Sequence, residues 1–419
     1  MKIERMIARE IYDSRGWPTI ECEIILEDGM YVTASVPSGI SKGKYEALEL
    51  RDGDKRISGM GVSKAIENIE TLIAPRFIGQ EPDVVTMDVT MLDVDGTDDK
   101  SKLGSNAMLA SSIAILKAQA AIEGLEPYEM VAHLCGLESI SLPIPMFNMI
   151  NGGMHAKNSL QIQELLVIPV DMTSFRAAME ASVIVFHELE KLLTKSKREF
   201  AIGDEGGFSV DFKNEYEALD MLMQAIENGS KKIKGRFVLA LDMAASQLYD
   251  AKKKKYRWQG KLLSSDQMIK LYESLSEKYP IYSIEDGLNE DDWQGWQDMT
   301  KTLNEKVQII GDDLFVTNAQ RIWQGIEQGV ATGAIIKPNQ IGTMTETLQA
   351  VKLCKEYTMN VVVSHRSGET NDSFLADLAV GVSASHIKAG GCSRGERMAK
   401  YNQLLRIEDA LVLNMLSGV

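Results

Sequence analysis

The stretch Phe237-Val-Leu-Ala-Leu-Asp242 is an apolar run closed by a carboxylate, and the chain repeats that device downstream. It recurs as Ile281-Tyr-Ser-Ile-Glu285, Val307-Gln-Ile-Ile-Gly-Asp312, Ala334-Ile-Ile-Lys337, Val361-Val-Val-Ser-His365 and His386-Ile-Lys388. The closing residues are separated by 43, 27, 25, 28 and 23 positions, and every gap after the first fits one strand plus one helix. That period predicts an α/β barrel, whose strands aim their carboxyl ends at one face. Polar residues at those ends then converge although they are far apart in the chain.

Working outward, 419 residues exceed the roughly 250 of one barrel and leave room for a second domain. Residues 19–36 read as a β-hairpin. Ile20, Cys22 and Ile24 alternate with Glu21 and Glu23, Asp28-Gly29 makes the turn, and Tyr31-Val-Thr-Ala-Ser-Val resumes. The glycine-bearing segment 36–44 buries little and is expected to be a mobile loop. Helical spacing begins near Ser63, and Asn106–Ile122 followed by Gly124 predicts a buried helix. Strands followed by helices make this part α+β. The expected organisation is an N-terminal α+β capping domain, 1–138, and a C-terminal TIM-like barrel, 139–419, entered through Leu142-Pro-Ile-Pro145.

A net charge of −15 argues against a nucleic-acid or acidic-membrane partner. The Lys252–Lys255 run is expected to be a solvated turn, and Trp293 and Trp296 to be helix packing. Four cysteines lack paired spacing, which fits a reducing compartment better than a disulfide framework or a zinc site. The charged N-terminus and the lack of a run of about 20 apolar residues predict a cytoplasmic protein with no membrane span.

Asp242, Glu285 and Asp312 offer three hard oxygen donors without cysteine or histidine, the chemistry that suits magnesium. A single one reads as a helix-capping acid. Three at successive strand ends, followed by two lysines, read as a site. Lys337 closes an apolar strand before Pro338, and as a general base it requires a pKa below the ordinary 10.4 or so. A metal or Lys388 nearby would lower it. Glu205, in Gly203-Asp-Glu-Gly-Gly207, is expected to hold a raised pKa as a general acid if Glu164 couples to it. His365-Arg366-Ser367-Gly368 has the donors of a phosphate clamp, so the expected substrate is a phosphorylated carboxylate.

These motifs make the chain resemble the enolases, nearly end to end. The likeness is carried by Asp13-Ser-Arg-Gly16, Ser38-Gly39, Glu46-Ala-Leu-Glu-Leu-Arg-Asp-Gly-Asp54, Lys100-Ser-Lys-Leu-Gly104, Asn151-Gly-Gly, Gly203–Gly207, Ser283-Ile-Glu-Asp286, Gly311-Asp-Asp-Leu314, Ile336-Lys-Pro-Asn339 and Ser364–Thr370. The resemblance implies magnesium-dependent dehydration of 2-phosphoglycerate to phosphoenolpyruvate, usually in a homodimer. It further implies Asp242, Glu285 and Asp312 as ligands of a first magnesium and Ser41 as a ligand of a second that arrives with substrate. Lys337 would be the base, and Glu205 the acid supported by Glu164. Lys388 would hold the carboxylate, and His155, Gln163, His365, Arg366 and Ser367 would surround the substrate.

Trp17, Ile40, Lys42 and Gln247 depart from the family wording, as does the tail Ala389-Gly-Gly-Cys-Ser393. Ile40 and Lys42 flank Ser41 and leave room for a paralogue acting on a related phospho- or phosphono-carboxylate, as in carboxyphosphonoenolpyruvate synthase. A non-catalytic binding or structural role is the reading from another class.

Overall fold

The computed structural model describes residues 1–40, 42–233 and 235–417. The chain opens with a three-stranded antiparallel sheet, β1 (Ile3–Tyr12), β2 (Pro18–Leu26) and β3 (Tyr31–Ser35), in the order β1-β2-β3. Ile20, Cys22 and Ile24 are fully buried, as the alternation requires, against the helix Ser105–Glu123. Gly124 ends that helix in the left-handed region at φ 69°, a conformation that glycine adopts without a Cβ penalty. β1 is a strand that the pattern hides, because Glu4, Arg5, Arg9 and Glu10 break up its apolar residues. The structure shows why it forms: Arg9 donates across the sheet to Glu21 at 2.7 Å and Glu23 at 2.9 Å.

The barrel begins with β4 (Ile144–Asn151) and β5 (Glu164–Val170). A short hairpin of β6 (Phe200–Ile202) and β7 (Phe208–Val210) hangs on the edge of β4, and β8 (Arg236–Asp242) follows. A second small sheet, β9 (Tyr249–Asp250), β10 (Lys255–Trp258) and β11 (Lys261–Leu263), is inserted next. It accounts for the long first gap of 43 between Asp242 and Glu285. Lys252–Lys254 form its exposed turn and exposed Lys255 opens β10.

β12 (Ile281–Glu285), β13 (Gln308–Gly311), β14 (Gly333–Ile336), β15 (Asn360–Ser364) and β16 (His386–Lys388) complete the circle, and β16 pairs with β4 to close it. The closed barrel therefore has eight strands, β4-β5-β8-β12-β13-β14-β15-β16. Seven run one way. β5 runs against both neighbours, antiparallel to β4 and to β8. Its first residue, Glu164, consequently lies beside Asp242, the last residue of β8.

Inside the barrel, Met146, Leu166, Ile168, Val238, Ala240, Ile310, Ile335 and Val362 form a closed apolar plug. The residues between them point outward to the surrounding helices, where Trp296 is fully buried with its indole N–H on the Asn289 carbonyl at 3.0 Å. Among the described residues no single helix is long and apolar enough to cross a membrane.

The cap is bonded to the barrel mouth. Ser38 and Gly368 exchange backbone hydrogen bonds at 2.8 and 2.9 Å as an isolated antiparallel bridge. Ser14 N donates to Glu369 O at 2.8 Å. Lys117 pairs with half-buried Asp372 at 2.8 Å and Lys100 with Glu346 at 2.7 Å. The loop 36–44, expected to bury little, is anchored here, with Ser38 only 1% exposed.

Candidate active site

At the carboxyl ends of the barrel strands lies a small polar cavity. It is lined by His155, Gln163, Glu164, Glu205, Asp242, Asp312, Lys337, His365, Arg366, Ser367 and Lys388. Each had been singled out in the sequence. Glu285 lies next to them, tied to Lys388, and Ser41 lies outside the described residues. A much larger cavity lies elsewhere, open and apolar, among Ile140–Pro145, Pro169–Arg176 and Glu408–Leu413. Those segments include the start of β4 and the end of β5, the opposite end of the barrel from the acid–base groups. Chemistry, not volume, identifies the site.

The lysines are the centre of its electrostatics. Lys388, 2% exposed, sets its ammonium 2.8 Å from both oxygens of Glu285, 3.1 Å from Glu164 and 3.4 Å from Asp242. Burial opposes its charge, but Glu164, Glu285 and Asp242 hold its pKa well above the ordinary value. Lys337 pairs with Asp312. Burial pulls the Lys337 pKa down and Arg366 and Lys388 repel its charge, but the surrounding carboxylates, Asp312 first and then Glu285, hold it up and the net shift is upward. This corrects the expectation of a depressed base: with a carboxylate in contact, the ammonium form is the favoured one.

Glu205 is corrected in the same way. Burial raises its pKa, but the His155 charge and hydrogen bond, together with a hydrogen bond to Glu164 and the Arg397 charge, bring it well below the ordinary carboxylate value. His155 Nδ1 lies 3.0 Å from Glu205 and 3.5 Å from Glu164, and Asn148 Nδ2 donates to Glu205 at 3.0 Å. Burial disfavours the imidazolium, but these two carboxylates raise the His155 pKa to about 10.

Because the His155 pKa is raised on folding, its contribution to stability is complete below the unfolded value of about 6.5 and is lost as pH rises through about 10. His155→Asn is therefore expected to be less stable than the parent near neutral pH, by on the order of a few kcal/mol. That gap should narrow steadily between the two pKa values. Denaturant unfolding across this range measures it, and a gap independent of pH would show that His155 is neutral.

Asp242 and Glu285 are left short of positive charge. Burial raises both pKa values; Glu164 and Asp312 add to it at Asp242, and Asp242 and Asp312 add to it at Glu285, against the pull of Lys388. An all-oxygen set of buried acids held up by burial and mutual repulsion fits a hard divalent cation. With the lysines drawn onto the acids, the oxygens of Asp242, Glu285 and Asp312 do not meet at one point. Among the described residues, the acidic groups that do approach within 4.8 Å are Asp286, Asp312 and Asp313, and His155 with Glu164 and Glu205.

Sequence reasoning missed Arg397. It is fully buried in the first turns of the helix Gly395–Ser417. Its guanidinium reaches His365 Nδ1 and the Arg366 carbonyl at 2.7 Å, the Ser367 carbonyl at 2.6 Å and the Asp204 carbonyl at 2.9 Å. It thus holds together the 365–367 turn and the turn carrying Glu205. Burial, then the Arg397 charge, lowers the His365 pKa well below its usual value, so His365 is neutral. No motif marked Arg397, because most of its partners are backbone carbonyls.

Gln247 Nε2 donates to Gln163 Oε1 at 3.2 Å, which gives this departure a place beside the site. Lys42 is turned to half-buried Glu49 at 2.8 Å and does not line the cavity.

Fold and site together define a capped TIM-barrel enzyme whose acids, lysines and anion donors meet at one strand-end cavity. Two family models match the chain: "Enolase, N-terminal domain" over residues 3–131 and "Enolase, C-terminal TIM barrel domain" over residues 139–416. The chain is also 48% identical over 410 residues to a protein named enolase from Natranaerobius thermophilus, covering 98% of this chain and 95% of that one. The chain belongs to the enolase family.

Proposed function

We propose that this chain is a phosphopyruvate hydratase, a hydro-lyase that removes water from 2-phospho-D-glycerate to give phosphoenolpyruvate in glycolysis. The observation that carries the proposal is the meeting, in one buried cavity, of a lysine, a Glu164–Glu205–His155 proton cluster and the Arg366–Ser367 anion donors. Lys337 in its neutral form takes the proton on carbon 2. The departing 3-hydroxyl receives a proton and leaves as water.

That second proton is shared by Glu205, Glu164 and His155, and near neutral pH it resides on His155. His155, 3.0 Å from Glu205, returns it through the carboxyl. Lys388 holds the substrate carboxylate, and Arg366 with Ser367 grips the phosphate. Gln163 and neutral His365 complete the substrate's surroundings.

Asp242, Glu285 and Asp312 would hold magnesium, with Ser41 toward a second ion. When bound, the metal supplies positive charge beside a carboxylate on which negative charge develops. Two ions per site, a homodimer and a cytoplasmic setting belong to the same proposal. Four free cysteines accord with the last.

With Lys42 committed to Glu49, the substrate-altering role considered for it loses its support and the common substrate is favoured. Purified protein with magnesium should convert 2-phosphoglycerate to an enol phosphate, seen by ultraviolet absorbance and by coupling to pyruvate kinase. Failure to form product from folded, magnesium-loaded protein would overturn the assignment.

A further inference from the structure

Arg366 reaches out of the barrel into the cap. Its Nη1 donates to Glu46 Oε2 at 2.9 Å and to Asn339 Oδ1 at 3.3 Å, and its Nη2 donates to Glu46 Oε1 at 3.3 Å. The Arg366 and Glu46 side chains are only 4% and 7% exposed. Glu46 Oε1 has a second donor, the backbone N–H of Gly43 at 2.9 Å. One carboxylate thus binds the anion-gripping arginine and the backbone of the 38–43 segment.

The other end of that segment lies on the same clamp. A Cβ at Gly39 would overlap the Arg366 guanidinium, so the bare backbone lies flat against it. Ile40 N donates to Ser367 Oγ at 2.9 Å. The partly buried lysine–acid pairs between cap and barrel, Lys117–Asp372 and Lys100–Glu346, involve no residue of the cavity. A carboxylate opposite a phosphate-binding arginine also subtracts attraction for the anion, so binding alone does not account for Glu46. Fixed orientation does: a bidentate partner at one edge of a planar fork determines where its remaining donors point.

We propose that Glu46 is a positioning residue that aligns Arg366 for the phosphate group and, through Gly43, couples anion binding to the order of the Lys42–Lys44 backbone. The proposal rests on Arg366 being the phosphate contact. Its probes are inorganic phosphate, with affinity read by calorimetry, and trypsin, which cuts after Lys42 and Lys44.

In the parent protein, phosphate should slow cleavage at those two bonds. Glu46→Gln should weaken phosphate binding about tenfold, speed cleavage, and remove most of the protection by phosphate. KM for 2-phosphoglycerate should rise more than kcat falls. Glu46→Asp keeps the charge but shortens the reach, and should restore phosphate affinity more than the protection. If Glu46→Gln does not fold, Glu46→Asp decides by the same two readings.

Phosphate affinity and protection unchanged in a folded variant would overturn the coupling and leave Glu46 as an interdomain ion pair. Loss of both in a protein that proves inactive on 2-phosphoglycerate would sustain the coupling and refute the assigned substrate instead. A parent protein that gains no protection from phosphate would also overturn it.

Discussion

Replacing Lys337 with alanine is expected to stop exchange of the carbon-2 proton of 2-phosphoglycerate with deuterated water and to lower turnover by about 10⁴-fold, the upper end for a general base. The expectation comes from position. Lys337 follows β14 directly, is 9% exposed, and shares the cavity with Lys388 and Arg366. A merely structural lysine would behave differently, because its loss would leave Asp312 buried without its cation and show mainly as lost stability. The two outcomes separate in a folded variant that still binds phosphate. Proton exchange surviving in it would transfer the base to another residue. Glu205→Gln should show the reverse pattern, with exchange retained while dehydration falls by about 10²–10⁴-fold.

Asp312→Asn should have an effect of similar size by another route. In the parent, magnesium at about 100 times its dissociation constant should add about 2.7 kcal/mol to stability, since it binds the folded chain alone. The variant should lose most of that gain and nearly all turnover. It should also release Lys337 from the carboxylate that now raises its pKa, leaving burial and the charges of Arg366 and Lys388 to push it down. Thermal melts with and without magnesium, alongside chelator titration of the parent, check this. Undiminished stabilisation in the variant, or full parental activity in excess chelator, would remove Asp312 from the metal site.

Much of the site was legible because strands end in an orderly way. Asp242, Glu285, Asp312, Lys337, His365 and Lys388 each close an apolar run, and the barrel sends those ends to one face. Glu164 escapes the rule, since it begins a reversed strand. Periodicity did not single it out; it entered as a like-charge partner for Glu205, and the resemblance then gave it a role.

The charge states were not legible. Whether Lys337 is depressed or raised depends on Asp312, 25 positions away, coming into contact; Glu205 likewise depends on His155, 50 positions upstream. Contacts of that separation are set by packing, which no local pattern encodes. β1 was hidden by charged residues that the sheet pairs across strands. Arg397 was hidden because it acts mainly on backbone carbonyls, and Glu46, although it opens a quoted motif, carried no assigned role because it acts on another side chain and a backbone group.

The reciprocal backbone bridge between Ser38 and Gly368 has a consequence for inheritance. Domain shuffling requires a seam at which a module can be lifted out intact. Here the seam passes through the turn that holds the anion donors, so a barrel separated from its cap loses the partners of Gly368, Arg366 and Asp372 together. Neither half is a portable part: the cap cannot be exchanged for a stranger's without remaking the active site, and the two must change in step.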